Sequence, residues 1–169
     1  MTQQAQYREE SELNHNNFPP RKVVCVGAVV LREDKVLFVH QAQGQSLAGK
    51  WSIPWGFIEA DEKPEDAALR ETLEEGGVIA QIKGYMGYQN LNPSGSFGMI
   101  FLCTHMSGDP QADGVETDEA RYLGLGDFNG LEDPVSEWCE WLARRVLLGE
   151  FTLVGKLPVV PDIKLSAFL

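Results

Sequence analysis

The sequence predicts one α/β domain in which a mixed β-sheet lies between helices. Three observations support this fold class. The 169 residues suit one domain, since domains usually hold about 100 to 200 residues. Runs rich in β-branched residues are interspersed with two segments of helical period. Hydrophobic residues make up 43% and charged residues 23% of the chain, which is typical of a globular protein and unlike a disordered one.

The predicted strands of the N-terminal half follow a polar arm. Residues 1–21 lack apolar periodicity and include two adjacent prolines, so we expect a flexible or loosely docked arm. The run KVVCVGAVVLRE at 22–33 is nearly continuous in apolar residues, as in a strand buried on both faces. VLFVH at 36–40 should pair with it as a hairpin. GQSLAGK at 44–50 reads as a loop, and WSIPWGFIE at 51–59 as a short extended segment.

The first predicted helix and the next strands occupy the middle of the chain. The helix begins at Pro64, a favoured first helical residue, and ends at Glu75, before two glycines. Three strand candidates follow, separated by turn residues. They are VIAQIKGYMGYQNL at 78–91, SFGMIFLCTHMS at 96–107 and RYLGL at 121–125, with an acidic loop at 109–120.

A second helix and an apolar tail end the sequence. Residues 134–149 place Val135, Trp138 and Leu142 at helical spacing, so one face of this helix should pack on the sheet. The domain is therefore expected to span residues 22–150. The tail at 151–169 is too apolar for a free terminus and contains two prolines, so it should dock on the domain or on a second subunit, as in a homodimer.

Charge and cysteine content narrow the classes of partner. The 14 basic and 25 acidic residues give a net charge of −11, which argues against nucleic acid or an anionic membrane as a partner. An anionic ligand would need local positive charge, most simply bound divalent cations. No apolar run reaches the ~18 residues that cross a bilayer, and three widely separated cysteines favour a reduced, cytoplasmic protein.

Three carboxylates share one side of the first predicted helix. Glu71, Glu74 and Glu75 fall together because residues three and four apart are neighbours on a helix surface, whereas Leu69 and Leu73 fall on the other side. Such a face repels itself unless something neutralises it, which indicates bound metal ions. The alternative is a solvated acidic face.

The longer pattern GFIEADEKPEDAALRETLEEGGV at 56–78 resembles the signature of the Nudix hydrolase family. The matching residues are Gly56, Glu62, Arg70, Glu71, Glu74, Glu75 and Gly77. The resemblance implies a Nudix-like α/β/α sandwich with a mixed β-sheet. It also implies hydrolysis of a nucleoside diphosphate linked to another moiety, with Mg²⁺ or Mn²⁺, hard cations that prefer oxygen ligands.

The resemblance also implies a role for each matching residue. The expected metal ligands are Glu71, Glu74, Glu75 and the backbone carbonyl of Gly56. Arg70 should orient these carboxylates by ion pairing. Glu62, a loop glutamate, should either lie just behind the metal ligands or be an outer metal ligand itself. A later loop should supply one more carboxylate, as a metal ligand or as the base for the attacking water. We place Glu116 there, with Glu119 as the alternative. The expected catalytic set is Glu71, Glu74, Arg70 and Glu116.

Four aromatic residues are candidates for substrate binding. Trp55 stands beside Gly56, where many family members have a small residue, and it is either a stacking surface for a base or a packed aromatic. Tyr85, Tyr88 and Phe97 follow the motif, where strands and loops that face the substrate should lie. Thr72 replaces a bulky aliphatic residue of the family pattern, which predicts a small change in packing.

Four functions are open at this point. WSIPWGFIE is more similar to members acting on ADP-ribose, dinucleotides or related diphosphates than to those acting on nucleoside triphosphates. A nucleoside triphosphate pyrophosphohydrolase is therefore the alternative enzyme. A Nudix-fold nucleotide-binding regulatory domain without catalysis is a third reading, although it would not need all three glutamates. A prenyl diphosphate isomerase is the fourth, with Cys103 as the cysteine to consider.

Overall fold

The computed structural model describes residues 23–91 and 96–154. The predicted arm at 1–21 and most of the predicted tail lie outside these residues. The described residues form seven strands, two helices and one 3₁₀ turn. These are β1 (Val24–Arg32), β2 (Lys35–Gln41), β3 (Trp51–Ser52), β4 (Trp55–Phe57), α1 (Pro64–Gly76), β5 (Ile79–Asn90), β6 (Phe97–Ser107), β7 (Thr117–Leu123), the 3₁₀ turn Asp127–Gly130 and α2 (Glu137–Leu147).

The seven strands form one mixed sheet, as the sequence predicts. Five strands follow the order β3-β2-β1-β6-β5, while β4 pairs with β1 and β7 pairs with β2. Strands β1 and β6 run parallel from the Val24–Phe97 pair to the Leu31–Thr104 pair, and the other pairings are antiparallel. The central position of β1 explains its continuous apolar run, because both of its faces are covered.

Two apolar cores lie on opposite faces of the sheet, so the α/β/α arrangement is confirmed. Alternate residues of β1 face different cores: Val26 and Ala28 face α1, whereas Val29 faces α2. The α1 core also contains Leu37, Ala67, Ala68, Val78, Phe101 and Cys103. The α2 core also contains Phe38, Trp51, Ile53, Leu102, Cys139, Leu142 and Val146. No helix within the described residues is long and apolar enough to cross a lipid bilayer.

The predicted acidic loop at 109–120 is wrong at its C-terminal end. Strand β7 begins at Thr117 and not at 121, and it pairs with β2 from Thr117 opposite Gln41 to Leu123 opposite Val36. Thr117 is buried, whereas Asp118 and Glu119 are exposed. An edge strand with charged outward residues has the composition of a loop, which explains the error.

The second helix is shorter than predicted. It begins at Glu137 because the preceding residues are held in an extended conformation: the Trp51 N–H donates to the carbonyl of Pro134 at 2.9 Å, and the Ser136 N–H donates to the carbonyl of Trp51 at 2.8 Å.

The start of the tail docks on its own domain. Tyr85 and Val154 exchange two backbone hydrogen bonds of 3.0 and 2.9 Å at the edge of β5.

Candidate active site

Helix α1 packs on the sheet through small and acidic residues. Its start at Pro64 has a favourable fixed φ. It ends at Gly76 and is capped by Gly77, whose φ of 71° suits glycine. Leu73 is 52% exposed, whereas Glu71, Thr72 and Glu75 are buried. The Thr72 hydroxyl donates to the carbonyl of Ala68 at 2.7 Å, so this buried polar group is satisfied inside the helix.

Arg70 contacts three of the motif carboxylates. Its Nε and Nη2 donate to the two oxygens of Glu62 at 2.9 and 3.0 Å, a bidentate pair. Its Nη1 donates to Glu71 at 2.7 Å and to Glu74 at 2.9 Å. Nη2 also donates to the carbonyl of Phe57 at 2.8 Å. The hydrogen bonds from Arg70 are the main cause of a lowered pKa at Glu62. Arg70 thus ties the loop before α1 to the acidic face.

Glu71 lies directly against the backbone of Gly56. A Cβ atom added at Gly56 would overlap the carboxyl group of Glu71, so the motif glycine is required by this contact. Burial raises the pKa of Glu71, the ion pair with Arg70 opposes this rise, and the charges of Glu74 and Glu116 add to it. Glu71 is therefore a buried acid among other acids.

Among the acidic residues that the structure describes, Glu75 is the most deeply buried, with 2% of its surface exposed. Its Oε2 accepts from the Trp55 N–H at 2.8 Å, and its Oε1 accepts from Nε2 of Gln41 at 3.4 Å. The pKa of Glu75 is raised to about 8: burial is the main cause, these two hydrogen bonds oppose the rise, and the charges of Glu71 and Glu116 contribute to it. A cation bound here would offset this concentration of negative charge.

Glu116 acts on the same site from the loop before β7. Its charge raises the pKa of both Glu71 and Glu75, which places the three carboxyl groups within electrostatic reach of one another. Glu119 instead forms an ion pair with Arg121. Of the two later-loop candidates, Glu116 is thus the one that the fold brings toward the acidic helix.

These carboxylates do not form a ready-made metal cage. Within residues 23–91 and 96–154, no three His, Cys, Asp or Glu side chains converge as such a cage would require. Arg70 instead binds one oxygen each of Glu71 and Glu74, and the side chain of Glu74 is 55% exposed at the rim. Mg²⁺ commonly uses one or two carboxylates together with waters and substrate phosphates. The donor chemistry of Glu71 and Glu75 fits that mode of binding.

Trp55 joins the acidic site to the other side of the sheet. Its N–H binds Glu75, while its indole covers Gly27 of β1 and Gly98 of β6, where added Cβ atoms would overlap the ring. The indole also meets Trp138 edge to face, with the ring centroids 6.2 Å apart. Trp55 is accordingly a packed aromatic between the carboxylates and helix α2.

The other three candidate aromatics lie on β5 and β6. Tyr85 packs on Phe101 in the α1 core with ring centroids 5.6 Å apart. Tyr88 is 65% exposed and meets Phe97 edge to face at 6.1 Å. Tyr88 and Phe97 thus present an aromatic pair near the surface, whereas Tyr85 contributes mainly to packing.

A cleft of about 620 Å³ lies between β5, helix α2 and the segment after that helix. Its wall is largely aromatic and apolar and contains one basic residue, Arg145. The lining residues are Met86, Gly87, Tyr88, Ile100, Trp138, Trp141, Leu142, Arg145, Gly149, Glu150, Phe151 and Thr152. Trp141 and Arg145 were not among the site candidates predicted from the sequence. The signal was their spacing of four residues on one helix edge, which places them side by side.

The family is decided by comparison with known proteins. Residues 21–144 match the family model of the NUDIX domain. The chain belongs to the Nudix hydrolase family. Among curated relatives, the MutT-like protein of Streptomyces ambofaciens is 33% identical over 91 residues, which are 53% of this chain and 56% of that protein. The ADP-ribose pyrophosphatase of Methanocaldococcus jannaschii is 25% identical over 126 residues, 70% of this chain and 73% of that protein.

Two further comparisons involve a longer relative and a solved structure. The NAD-capped RNA hydrolase NudC of Vibrio parahaemolyticus is 30% identical over 106 residues, 63% of this Nudix chain but 40% of the relative. The chain thus spans about half the length of two of these relatives, or less. A NUDIX hydrolase from Nitrosomonas europaea has a TM-score of 0.67 and 27% identity, covering 76% of this chain and 72% of that one.

Proposed function

We propose that this Nudix chain hydrolyses the pyrophosphate bond of a nucleoside diphosphate linked to another moiety, such as ADP-ribose or a dinucleotide, with Mg²⁺ or Mn²⁺. The single observation that carries the proposal is the group of Glu71, Glu75 and Glu116: burial raises the pKa of Glu71 and of Glu75, and the nearby charge of Glu116 adds to both rises. The ADP-ribose pyrophosphatase of M. jannaschii supports the substrate class by similarity.

The residues that would hold the divalent cation are Glu71 and Glu75, with Glu74 at the rim and the carbonyl of Gly56 beside them. A bound cation supplies charge neutralisation for the pyrophosphate and acidifies an attacking water. Arg70 keeps the carboxylates of Glu71 and Glu74 in place through the hydrogen bonds described above. In this proposal the Glu116 carboxylate accepts the proton of the attacking water.

The cleft offers a place for the rest of the substrate. Its volume of about 620 Å³ lies within the range of roughly 300 to 1,000 Å³ of small-molecule sites. Trp55 contacts Glu75 through its backbone and, through its indole, Trp138, which lines the cleft. Trp55 therefore connects the carboxylates to the cleft wall. Tyr88 and Trp141 supply aromatic surfaces for a planar group such as a nucleobase, and Arg145 supplies positive charge.

A substrate panel tests this function. Purified protein should be assayed with Mg²⁺ and with Mn²⁺ on ADP-ribose, dinucleotides and nucleoside triphosphates, with the products separated to show which phosphate bond breaks. The highest kcat/KM should belong to a diphosphate linked to a second moiety. A higher value for nucleoside triphosphates than for every such diphosphate would select the alternative enzyme. Binding without turnover of any compound would select the regulatory domain.

The isomerase reading loses its candidate cysteine. Cys103 is fully buried in the α1 core, and burial raises the pKa of its thiol to about 12. A thiol in that position can neither reach a substrate nor exchange its proton near neutral pH.

The remaining proposals concern compartment and assembly. The three cysteines form no disulfide, which supports a reducing, cytoplasmic location. A homodimer stays a prediction, since only the first tail residues are described and they dock on β5 of the same chain. Light scattering at micromolar concentration checks it: a dimer mass is expected, and a monomer mass would contradict it.

A further inference from the structure

The loop that carries Glu116 is folded around a single carboxylate. Oδ1 of Asp113 accepts the backbone N–H groups of Val115 and Glu116, each at 3.0 Å, and that of Thr117 at 2.9 Å. Oδ2 of Asp113 adds a second contact to the Glu116 N–H at 3.2 Å. Three successive amide groups therefore point at one side chain, and the backbone of Glu116 is the middle one.

The same loop is fastened to the acidic helix and to the sheet. The Thr117 hydroxyl lies 2.8 Å from the carbonyl of Glu75, at the C-terminal end of α1, and donates to it. The Ala42 N–H, just beyond β2, donates to the carbonyl of Glu116 at 2.9 Å. Glu116 thus has a backbone fixed relative to Glu75, and Asp113 is the side chain that closes the turn between these attachments.

We propose that Asp113 is a positioning residue that holds Glu116 beside Glu71 and Glu75 for hydrolysis. This inference rests on the proposed function, because the step that it affects is the one in which Glu116 takes part. Among the described residues, the hydrogen bonds of the Asp113 carboxylate go to residues 115–117, and none goes to α1. Asp113 acts through the loop backbone, so its removal lets the Glu116 carboxylate move away from the site.

Asp113 is exposed, so a loss of activity in its variants would not come from a disturbed hydrophobic core. The residue lies at the surface, so replacing it by alanine opens no internal cavity. Its neighbour Asp109 is also an exposed acid of the same loop region, and it donates or accepts none of the hydrogen bonds that fold residues 113–117. Asp109→Ala is thus a matched control for the loss of one negative charge.

A double-mutant cycle tests the coupling between Asp113 and Glu116. The variants are Asp113→Ala, Glu116→Gln, the double variant and Asp109→Ala, assayed on the best substrate of the panel. Asp113→Ala and Glu116→Gln should each lower kcat by at least about tenfold with little change in KM, since small misplacement of a reacting group is costly. The double variant should be no slower than Glu116→Gln alone, because both changes remove the same contribution.

Further variants sharpen the test. Asp113→Asn keeps an oxygen that can accept the three N–H groups, so it should restore kcat to within about threefold of wild type despite weaker neutral hydrogen bonds. Glu119→Gln should have a smaller effect than Glu116→Gln. Multiplicative losses in the double variant, or full activity of Asp113→Ala, would overturn the positioning role. Wild-type activity in Glu116→Gln with an inactive Glu119→Gln would overturn it as well.

A readout without turnover keeps this inference distinct from the proposed function. If the wild-type chain hydrolyses no compound of the panel, the proposed function is wrong. The position of Glu116 is then tested by measuring the affinity of each variant for Mn²⁺. Glu116→Gln removes a negative charge close to Glu71 and Glu75, so it should then weaken Mn²⁺ binding. Asp113→Ala displaces that charge and should weaken binding too, whereas Asp109→Ala should leave it unchanged. Weaker binding in Glu116→Gln with unchanged binding in Asp113→Ala would show that Asp113 does not position Glu116.

Discussion

Helices α1 and α2 cover opposite faces of one sheet but bury different kinds of residue. The buried residues of α2 are Cys139, Leu142, Ala143 and Val146, as expected of an amphipathic helix that stabilises a fold. Those of α1 include three glutamates, two alanines and a threonine, while its Leu73 faces solvent. Both helices complete the same sandwich, so packing alone does not require the acidic pattern of α1.

The contrast indicates which helix serves chemistry. Burying ionisable carboxyl groups costs free energy, and replacement by neutral groups often leaves a fold equally or more stable. Glu71 and Glu75 are buried, so the interpretation of the whole face as solvated is wrong for these two residues. Changes on α1 should therefore alter activity more than stability, whereas changes on the α2 side should alter stability or substrate affinity.

The largest effect is expected from Glu75→Gln on α1. We expect kcat to fall by at least about 10²-fold, because the variant loses a carboxylate that would hold the cation, and even the outer partners of metal ligands contribute about 10- to 100-fold. The melting temperature without metal should not fall. Steady-state kinetics and thermal unfolding measure the two effects. Asp66→Asn, at an exposed carboxylate of the same helix, is the control and should retain wild-type kcat. Wild-type activity of Glu75→Gln would remove the proposed mechanism.

The second prediction concerns the pH dependence of stability without metal. Because burial raises the pKa of Glu75 to about 8, the folded chain keeps a proton that the unfolded chain has released above its ordinary pKa of about 4.3. The free energy of unfolding should therefore fall as pH rises from about 5 to 8, by up to a few kcal/mol. Urea denaturation with chelator present measures this fall. Glu75→Gln should flatten the curve, and an equally steep curve in that variant would assign the effect to other groups.

The third prediction concerns the packing of Trp55 on the α2 side of the sheet. Gly98→Ala places a methyl group where the indole lies, so the free energy of unfolding should drop by about 1 to 3 kcal/mol, as for other overpacked cores. Denaturant unfolding checks this value. Gly130→Ala is the control, since an added Cβ there meets open space. Equal stability of the two variants would show that Trp55 is free to move.

Much of this contrast could be predicted from the sequence, because the hydrophobic period and the spacing of the motif residues depend only on residues that are close together in the chain. The helix start at Pro64, its glycine stop and the central strand β1 follow from patterns within a dozen residues. The motif also placed Gly56 beside the glutamates. The start of β7 was missed because edge strands tolerate charged residues such as Asp118 and Glu119.

Other features depend on contacts between distant segments. The Trp55 indole packs on Gly27 and Gly98. These glycines are 71 positions apart in the chain and become neighbours only when β1 pairs with β6. The hydrogen bonds of Asp113 depend on the turn formed by residues 113–117. The sequence of this segment shows only that it is acidic, so it did not predict that turn. Likewise, the cleft exists only between assembled elements, so Trp141 looked like an ordinary helix residue.

The smallest effect is expected at the cleft. Trp141 is 55% exposed, lines the cleft and lies beside the Arg145 guanidinium, 5.3 Å from the ring centroid. Trp141→Ala should raise KM about two- to tenfold, since an aromatic pair contributes roughly 0.5 to 1.5 kcal/mol. The value of kcat should change little, because a group far from the reacting bond binds substrate and transition state alike.

A control separates this loss of stacking from a general loss of apolar surface. Met106 is an exposed apolar residue of β6 that does not line the cleft, and Met106→Ala should leave KM unchanged. If the base stacks on Trp141, Trp141→Phe should restore most of the affinity, and compounds that lack an aromatic base should be insensitive to the change. An unchanged KM for every substrate in Trp141→Ala would remove the cleft from the substrate path. The α2 side would then serve only the fold, and α1 alone would carry the function.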